Sequence, residues 1–235
     1  MTTFVLIHGA WHGGWGWQRL TPLLRAAGHT VYAPSLTGLG ERKHLARPDI
    51  DLDLHIQDVV QLLEMEDLQD IILVGHSYGG MVVTGAADRA AQRIRRLVYL
   101  DAFVPQNGKC LLDYAVPERA AGMRAAGQAS GMVPPPPLSL WGLTDPKDIA
   151  WVKPREVMHP FQTMAQPIRL ANQAALGRIP KTFIYCSKPA TGSFDQFAAK
   201  YRKDPAWRFH ELETGHDAMI LKPQALAAIF IKELK

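Results

Sequence analysis

The chain has 235 residues, enough for one α/β domain with a sizeable hydrophobic core. Hydrophobic residues make up 47% and charged residues 20%, a composition that excludes global disorder. The net charge is +4, but the basic residues are scattered rather than arranged in a stripe, so we expect no nucleic-acid binding. No apolar run is long enough to cross a bilayer and no secretory signal precedes the first strand, so we expect a cytoplasmic protein with no membrane association.

Apolar runs predict strands that alternate with helices at both ends of the chain. The first set comprises strand 3–7, a helix near 17–27, strand 30–33, helix 53–66, strand 70–74, helix 78–90 and strand 96–100. After Pro180 the alternation resumes with strand 182–186, helix 194–202, strand 207–212 and helix 223–234. Unbroken apolar strands in such an alternation predict a parallel sheet with helices on both faces.

Residues 104–178 interrupt this alternation with many prolines and short helical pieces. We predict that residues 1–103 and 179–235 form the core and that residues 104–178 form a helical cap insertion. The large apolar residues of the insertion either bury its own small core or line an apolar pocket. They are Met123, Met132, Trp141, Trp151, Met158, Phe161 and Met164.

Ser77 lies in the pentapeptide Gly75-His76-Ser77-Tyr78-Gly79, directly after a predicted buried strand and before a predicted helix. This context is typical of a nucleophilic serine raised on a sharp turn, because the glycines allow a turn too tight for side chains. The helix N-terminus that follows can stabilise a negative oxygen. The alternative interpretation is an inert turn.

A serine hydroxyl needs a base to accept its proton, and histidine has a suitable pKa. His216 follows the last predicted strand and precedes the last helix, so it is expected at the same sheet edge as Ser77. The alternative is a surface loop histidine.

The histidine spacing fits no metal motif, and the two cysteines, Cys110 and Cys186, form neither a disulfide framework nor a metal site. We therefore expect no metal and no cofactor.

An oxyanion formed at the serine requires fixed hydrogen-bond donors. We expect one to be the backbone N–H of Tyr78, the residue after the nucleophile. The other is expected in the glycine-rich loop after the first strand, at the backbone N–H of Ala10.

The segment His8-Gly9-Ala10-Trp11-His12-Gly13-Gly14-Trp15-Gly16-Trp17, together with Gly75–Gly80 and the late Gly215-His216, resembles the α/β-hydrolase superfamily. More closely, it is similar to the plant methylesterase and hydroxynitrile lyase family and its bacterial esterase relatives. The resemblance covers nearly the whole chain and is weakest in residues 104–178. It implies an α/β-hydrolase fold with a six-stranded, mostly parallel sheet and a helical cap between strands four and five.

The acid of the catalytic triad departs from the family pattern. The family usually carries an aspartate shortly after the fifth strand, where this chain has no carboxylate near Pro189 and Asp195 comes several residues late. Asp101 directly follows the strand after the nucleophile helix, a position that some superfamily members use. We therefore predict Ser77, His216 and Asp101 as the catalytic residues and keep Asp195 as the alternative acid. Asp101 could also be a simple strand-end turn residue.

Two positions distinguish esterases from lyases in the family that the chain resembles. The lyases carry a threonine where this chain has Gly9, and a lysine where it has Asp217. We therefore expect a serine carboxylesterase that acts on small to medium hydrophobic esters, with a small-molecule ester as its partner. The alternatives are a hydroxynitrile lyase-like C–C lyase and a small-ligand binding protein with residual hydrolase fold; a homodimer is possible.

Overall fold

A computed structural model describes residues 1–232. Six strands form one sheet in the order β2-β1-β3-β4-β7-β8, and every neighbouring pair is parallel. The strands are β1 Thr3–Ile7, β2 Thr30–Tyr32, β3 Ile71–His76, β4 Ile94–Leu100, β7 Lys181–Cys186 and β8 Trp207–Leu212. This confirms the predicted six-stranded parallel sheet, and it places β3 at the centre between β1 and β4.

Helices follow the strands as the alternation predicts. They are α1 Thr21–Ala26, α2 Leu52–Met65, α3 Gly79–Arg89, α8 Asp195–Tyr201, α9 Ala218–Leu221 and α10 Pro223–Lys232. All six residues of β3 are buried, as expected of a strand covered on both faces. The first helix starts later than predicted because a 3-10 turn, Gly14–Trp17, precedes it. Of the predicted last helix, residues 233 and 234 lie outside the described part.

The segment between β4 and β7 is irregular, with short helices and a two-stranded antiparallel ladder. Its elements are α4 Pro117–Ser130, β5 Met132–Val133, α5 Pro146–Val152, β6 His159–Pro160, α6 Gln162–Ala165 and α7 Gln173–Arg178. The indole N–H of Trp11, in the loop after β1, donates to the carbonyl of Val133 at 2.9 Å. The N–H of Val157 donates to the Trp11 carbonyl at 3.0 Å. This loop therefore anchors the inserted segment over the sheet edge. The division at residues 104 and 178 stays a prediction.

Within residues 1–232, no helix combines the length and the apolar character that crossing a membrane requires.

Two glycines of α4 give a matched pair for testing the packing of the inserted segment. A Cβ at Gly127 would lie 2.2 Å from the Phe161 ring, whereas a Cβ at Gly122 would meet nothing within 4 Å. We predict that Gly122→Ala raises the free energy of unfolding by about 0.5–1 kcal/mol, because alanine is the better helix former. Gly127→Ala should lower it by about 1–3 kcal/mol through overpacking. Urea unfolding of both variants checks this, and equal effects at the two positions would contradict the packing described here.

Candidate active site

Ser77 lies at the turn between β3 and α3 with φ of +53°, a backbone conformation that residues other than glycine rarely adopt. The turn is tight: a Cβ at Gly79 would lie 2.7 Å from the carbonyl oxygen of Ile7. The end of β4 supports it, because the Ser77 N–H donates to Leu100 and the Ser77 carbonyl accepts from Phe103, each at 3.2 Å. The sharp turn predicted from the glycines is therefore present, and hydrogen bonds from neighbouring segments hold Ser77 in its strained backbone conformation.

His216 and Asp101 form a buried hydrogen-bonded pair. Nδ1 of His216 donates to Oδ2 of Asp101 at 2.7 Å, and neither side chain is more than 2% exposed. Asp101 has a φ of +41°, and its N–H donates to the Ile184 carbonyl at 2.7 Å. Its other carboxylate oxygen accepts the N–H of Cys186 at 3.2 Å. The ends of β4 and β7 thus orient the carboxylate toward the imidazole.

Burial sets the charge states of this pair. It lowers the pKa of His216 to about 4, so the imidazole is neutral at neutral pH and can accept a proton. Burial also raises the pKa of Asp101, against the opposing effect of the Cys186 N–H. A more basic carboxyl group binds the Nδ1 proton more strongly, which fixes the tautomer that leaves Nε2 free to act as a base.

The other ring nitrogen of His216 points to no protein partner. Within residues 1–232, Nε2 makes no hydrogen bond, and neither does the hydroxyl of Ser77. The His216 ring packs against Trp141 and Phe194, with ring centroids 4.8 and 5.0 Å apart. Both aromatic residues line the cavity that Ser77 also lines. Ser77 therefore lines the cavity, whereas the His216 ring packs against two of its lining residues, and the described residues show no hydrogen bond between Ser77 and His216.

The two expected oxyanion donors lie beside Ser77. Ala10 and Tyr78 line the same cavity, and neither backbone N–H donates to another residue in the described range 1–232. A hydrogen bond fixes the Tyr78 side chain: its hydroxyl donates to Nδ1 of the buried His55 at 2.8 Å. Two unpaired backbone donors at one cavity wall form an arrangement suited to a developing negative oxygen.

The cavity is narrow and mostly apolar, with a volume of about 30 Å³. That volume is far below the roughly 300–1,000 Å³ of typical ligand sites, so binding of an ester requires side chains to move. Thirteen residues line it: Ala10, Trp11, Ser77, Tyr78, Phe103, Leu111, Ala115, Arg119, Met123, Trp141, Met164, Ser193 and Phe194. Of the residues that the sequence suggested for a pocket, Met123, Trp141 and Met164 lie here, and Met132, Trp151, Met158 and Phe161 do not.

The alternative acid, Asp195, lies elsewhere. Its side chain is exposed and accepts a hydrogen bond from the Tyr185 hydroxyl at 2.8 Å. The structure does not bring it to His216, whose Nδ1 is already bound to Asp101.

Sequence reasoning missed a second buried cluster behind the His216 ring. Asp217 is fully buried, with Oδ2 3.6 Å from Nε2 of His12 and Oδ1 3.7 Å from Nε2 of His76. Nε2 of His76 also donates to the His216 carbonyl at 3.1 Å, so His76 holds the segment that carries His216. Only the position of Asp217, adjacent to His216, offered a signal for this cluster.

Charge in this cluster resides mainly on Asp217 and His12. Burial would lower the pKa of His12, but the Asp217 carboxylate outweighs it and the net pKa is raised. Burial would raise the pKa of Asp217, but His12 outweighs it and lowers that pKa to about 2. Burial also raises the pKa of the nearby Glu156 to about 7. Asp217 and His12 therefore form a buried ion pair at mildly acidic pH.

His76, His216 and Asp217 also bring one potential ligand atom each within 4.8 Å of one another, a spacing that could hold a metal ion. Nε2 of His76 and Nδ1 of His216 are both used in hydrogen bonds to protein groups.

Comparison with known proteins gives a consistent family. The model of the alpha/beta hydrolase family matches residues 4–229. A protein named carbendazim hydrolyzing esterase, from Nocardioides sp. (strain SG-4G), is 41% identical over 238 residues, which covers 97% of each chain. Methylesterase 2 of Arabidopsis thaliana is 28% identical over 95% of this chain and 92% of its own length.

A solved structure shares the whole architecture. An extracellular alpha/beta-hydrolase from a Paenibacillus species superimposes with a TM-score of 0.83 at 25% identity, over 99% of this chain and 98% of that one.

The Asp217–His12 pair leads to a prediction for stability. The lowered pKa of Asp217 contributes stability that is complete above about pH 4 and is lost as the pH falls toward 2. The raised pKa of His12 contributes stability that is complete below pH 6.5 and is lost as the pH rises through the raised value. Asp217→Asn should therefore lower the free energy of unfolding by about 3 kcal/mol at pH 5 and by less at pH 9.

Urea unfolding at both pH values measures this difference, with the exposed Asp195→Asn as the matched control. A loss for Asp217→Asn that is the same at pH 5 and pH 9 would show that the ion pair does not contribute.

Proposed function

The chain belongs to the alpha/beta hydrolase family, and we propose that it is a serine esterase in which Ser77, His216 and Asp101 form the catalytic triad. The observation that carries the proposal is the 2.7 Å hydrogen bond from His216 to Asp101, together with the packing of the His216 ring against Trp141 and Phe194, which line the cavity of Ser77. The relative from Nocardioides, named an esterase, supports ester hydrolysis as the reaction.

In the proposed mechanism, Nε2 of His216 accepts the hydroxyl proton of Ser77 as the serine oxygen attacks the ester carbonyl. The backbone N–H groups of Ala10 and Tyr78 donate to the resulting oxyanion. His216 then returns the proton to the leaving alcohol, which leaves an acyl group on Ser77. A water molecule, deprotonated by the same imidazole, hydrolyses the acyl-enzyme and regenerates the serine.

The absence of a resting Ser77–His216 hydrogen bond is compatible with this mechanism. Catalytic hydrogen bonds are often long in unliganded enzymes and shorten in the substrate complex. The neutral imidazole, held by Asp101 in one tautomer, presents Nε2 as the acceptor. Its protonated form is stabilised by the Asp101 carboxylate during the reaction.

Two positions support ester hydrolysis over a cyanohydrin lyase reaction. A Cβ at Gly9 would lie 2.9 Å from Nδ1 of His76 and 3.0 Å from Cβ of Ser77, so the loop after β1 has no room at this position for the threonine of the lyases. The lyase lysine is replaced by Asp217, whose side chain is turned away from solvent between His12 and His76.

The proposed substrates are small to medium hydrophobic esters. Ten of the lining side chains carry no hydrogen-bonding group other than an indole or phenol, which favours apolar acyl or alkoxy groups. A cytoplasmic location, a homodimer and independence of any cofactor stay predictions from the sequence.

Replacing the nucleophile tests the reaction directly. Ser77→Ala should lower kcat for p-nitrophenyl butyrate by about 10⁴-fold or more, because no hydroxyl is left to form the acyl-enzyme. The exposed Ser139→Ala serves as the matched control and should retain activity. Circular dichroism verifies that both variants are folded. Unchanged turnover in Ser77→Ala would refute the assignment, and ligand binding without a fluorophosphonate adduct on the wild type would favour a binding protein.

The identity of the acid is tested by two amide substitutions. Asp101→Asn should reduce kcat by about 10³- to 10⁴-fold, because the amide favours the wrong imidazole tautomer. Asp195→Asn should change kcat by less than about threefold, since its carboxylate binds only Tyr185 among the described residues. Steady-state kinetics at pH 8 distinguish the two, and a larger loss in Asp195→Asn would reverse the assignment.

A further inference from the structure

Among residues 1–232, Arg119 is the one charged side chain that lines the cavity. It lies on α4 of the inserted segment and is half-buried. The other lining residues are apolar, aromatic or serine, so the guanidinium dominates the electrostatic potential of a mostly apolar space.

The hydrogen-bond partners of Arg119 are neutral. One Nη donates to the Ser193 hydroxyl at 3.2 Å, and the other donates to the Thr191 carbonyl at 2.9 Å. Within residues 1–232 no carboxylate lies within 4.0 Å of the guanidinium. By contrast, Arg19 is paired with Asp148 at 2.7 Å. A partly buried cation without a counter-charge is costly, and an anion entering the cavity would offset that cost.

Arg119 and the imidazole of His216 contact the same indole. The guanidinium carbon lies 6.0 Å from the centroid of Trp141, and the His216 ring lies 4.8 Å from that ring. The indole of Trp141 is therefore a shared neighbour of the cation and of the residue proposed as the catalytic base. A substrate that carries an ester, an aromatic ring and an anionic group suits a cavity that offers a serine, aromatic walls and a cation.

We propose that Arg119 binds a carboxylate on the substrate, and that the preferred substrates are esters that also carry a free carboxylate, with an aromatic ring between that carboxylate and the reacting ester. This inference rests on the proposed serine esterase function and specifies its substrate class. Arginine is suited to the role because its planar N–H groups match both oxygens of a carboxylate.

A purely structural role makes a different prediction. Through Ser193 and Thr191, Arg119 also links the inserted segment to the loop after β7. If it acts only as this link, its loss lowers turnover of charged and neutral esters by the same factor. If it binds the substrate carboxylate, its loss changes the ratio between them.

The experiment compares carboxylates with their neutral carboxamide isosteres. 4-Acetoxybenzoate and 4-acetoxybenzamide place the distinguishing group on the leaving-group side. Monomethyl terephthalate and methyl 4-carbamoylbenzoate place it on the acyl side. In at least one pair, kcat/KM of the wild type should be about 10- to 100-fold higher for the carboxylate, the range expected for hydrogen bonds to a charged group.

Three variants locate the source of that preference. Arg119→Gln should reduce the carboxylate-to-amide ratio to about one, and Arg119→Lys should restore part of it through its charge. Arg124→Gln removes the same charge from an exposed position of α4 and should leave the ratio at the wild-type value. High ionic strength should lower the ratio in the wild type, because it screens the charge pair.

The outcomes separate this inference from the proposed function. Ser77-dependent hydrolysis with a wild-type ratio near one in both pairs, or a ratio unchanged in Arg119→Gln, overturns the inference and leaves the esterase proposal standing. Absence of Ser77-dependent hydrolysis of every ester, including p-nitrophenyl butyrate, overturns both.

Discussion

A hydrogen bond of 2.7 Å between His216 and Asp101 connects the two halves of the chain at the edge of the sheet. The inserted segment separates these residues in sequence, and parallel pairing of β4 with β7 and of β7 with β8 brings their strand ends together. The geometry of the site depends on this contact, because it fixes the imidazole next to the cavity of Ser77. Ser77 and Asp101 both adopt positive φ values, which cost conformational free energy. Hydrogen bonds from neighbouring strand ends stabilise both residues in these conformations.

Other buried histidines of the protein differ in charge state, according to whether a carboxylate lies nearby. His8 and His55 are buried among backbone carbonyls and hydroxyls, and burial lowers their pKa values to about 3 and about 4. They are neutral hydrogen-bonding groups: His8 accepts a hydrogen bond from the N–H of Leu36 in the loop after β2, and His55 accepts one from the hydroxyl of Tyr78. His12 faces the buried Asp217 carboxylate instead, and its pKa is raised. The same side chain therefore serves as a neutral support or as part of an ion pair according to whether a carboxylate is within reach.

Much of the fold and part of the site could be predicted from the sequence. Apolar runs predicted the six strands within a few residues, because parallel strands buried on both faces consist almost entirely of apolar residues. The Gly75–Gly79 turn predicted the conformation of Ser77, because only glycine fits beside the Ile7 carbonyl. The sequence favoured Asp101 as the acid but left Asp195 as an alternative, because both residues follow predicted strands. The Asp217–His12 pair was not predicted at all, because it joins residues from opposite ends of the chain.

The sequence by itself determined the strand-helix alternation, the sharp turn at Ser77 and the candidate base, because each is encoded in a short run of neighbouring residues. The tertiary structure alone decided which carboxylate faces His216, which residues of the inserted segment line the cavity, and that Arg119 enters it without an acidic partner among the described residues. These features depend on distances between segments that are far apart in the chain. Such distances follow from how the strands pair and how the inserted segment packs, and local composition does not specify them.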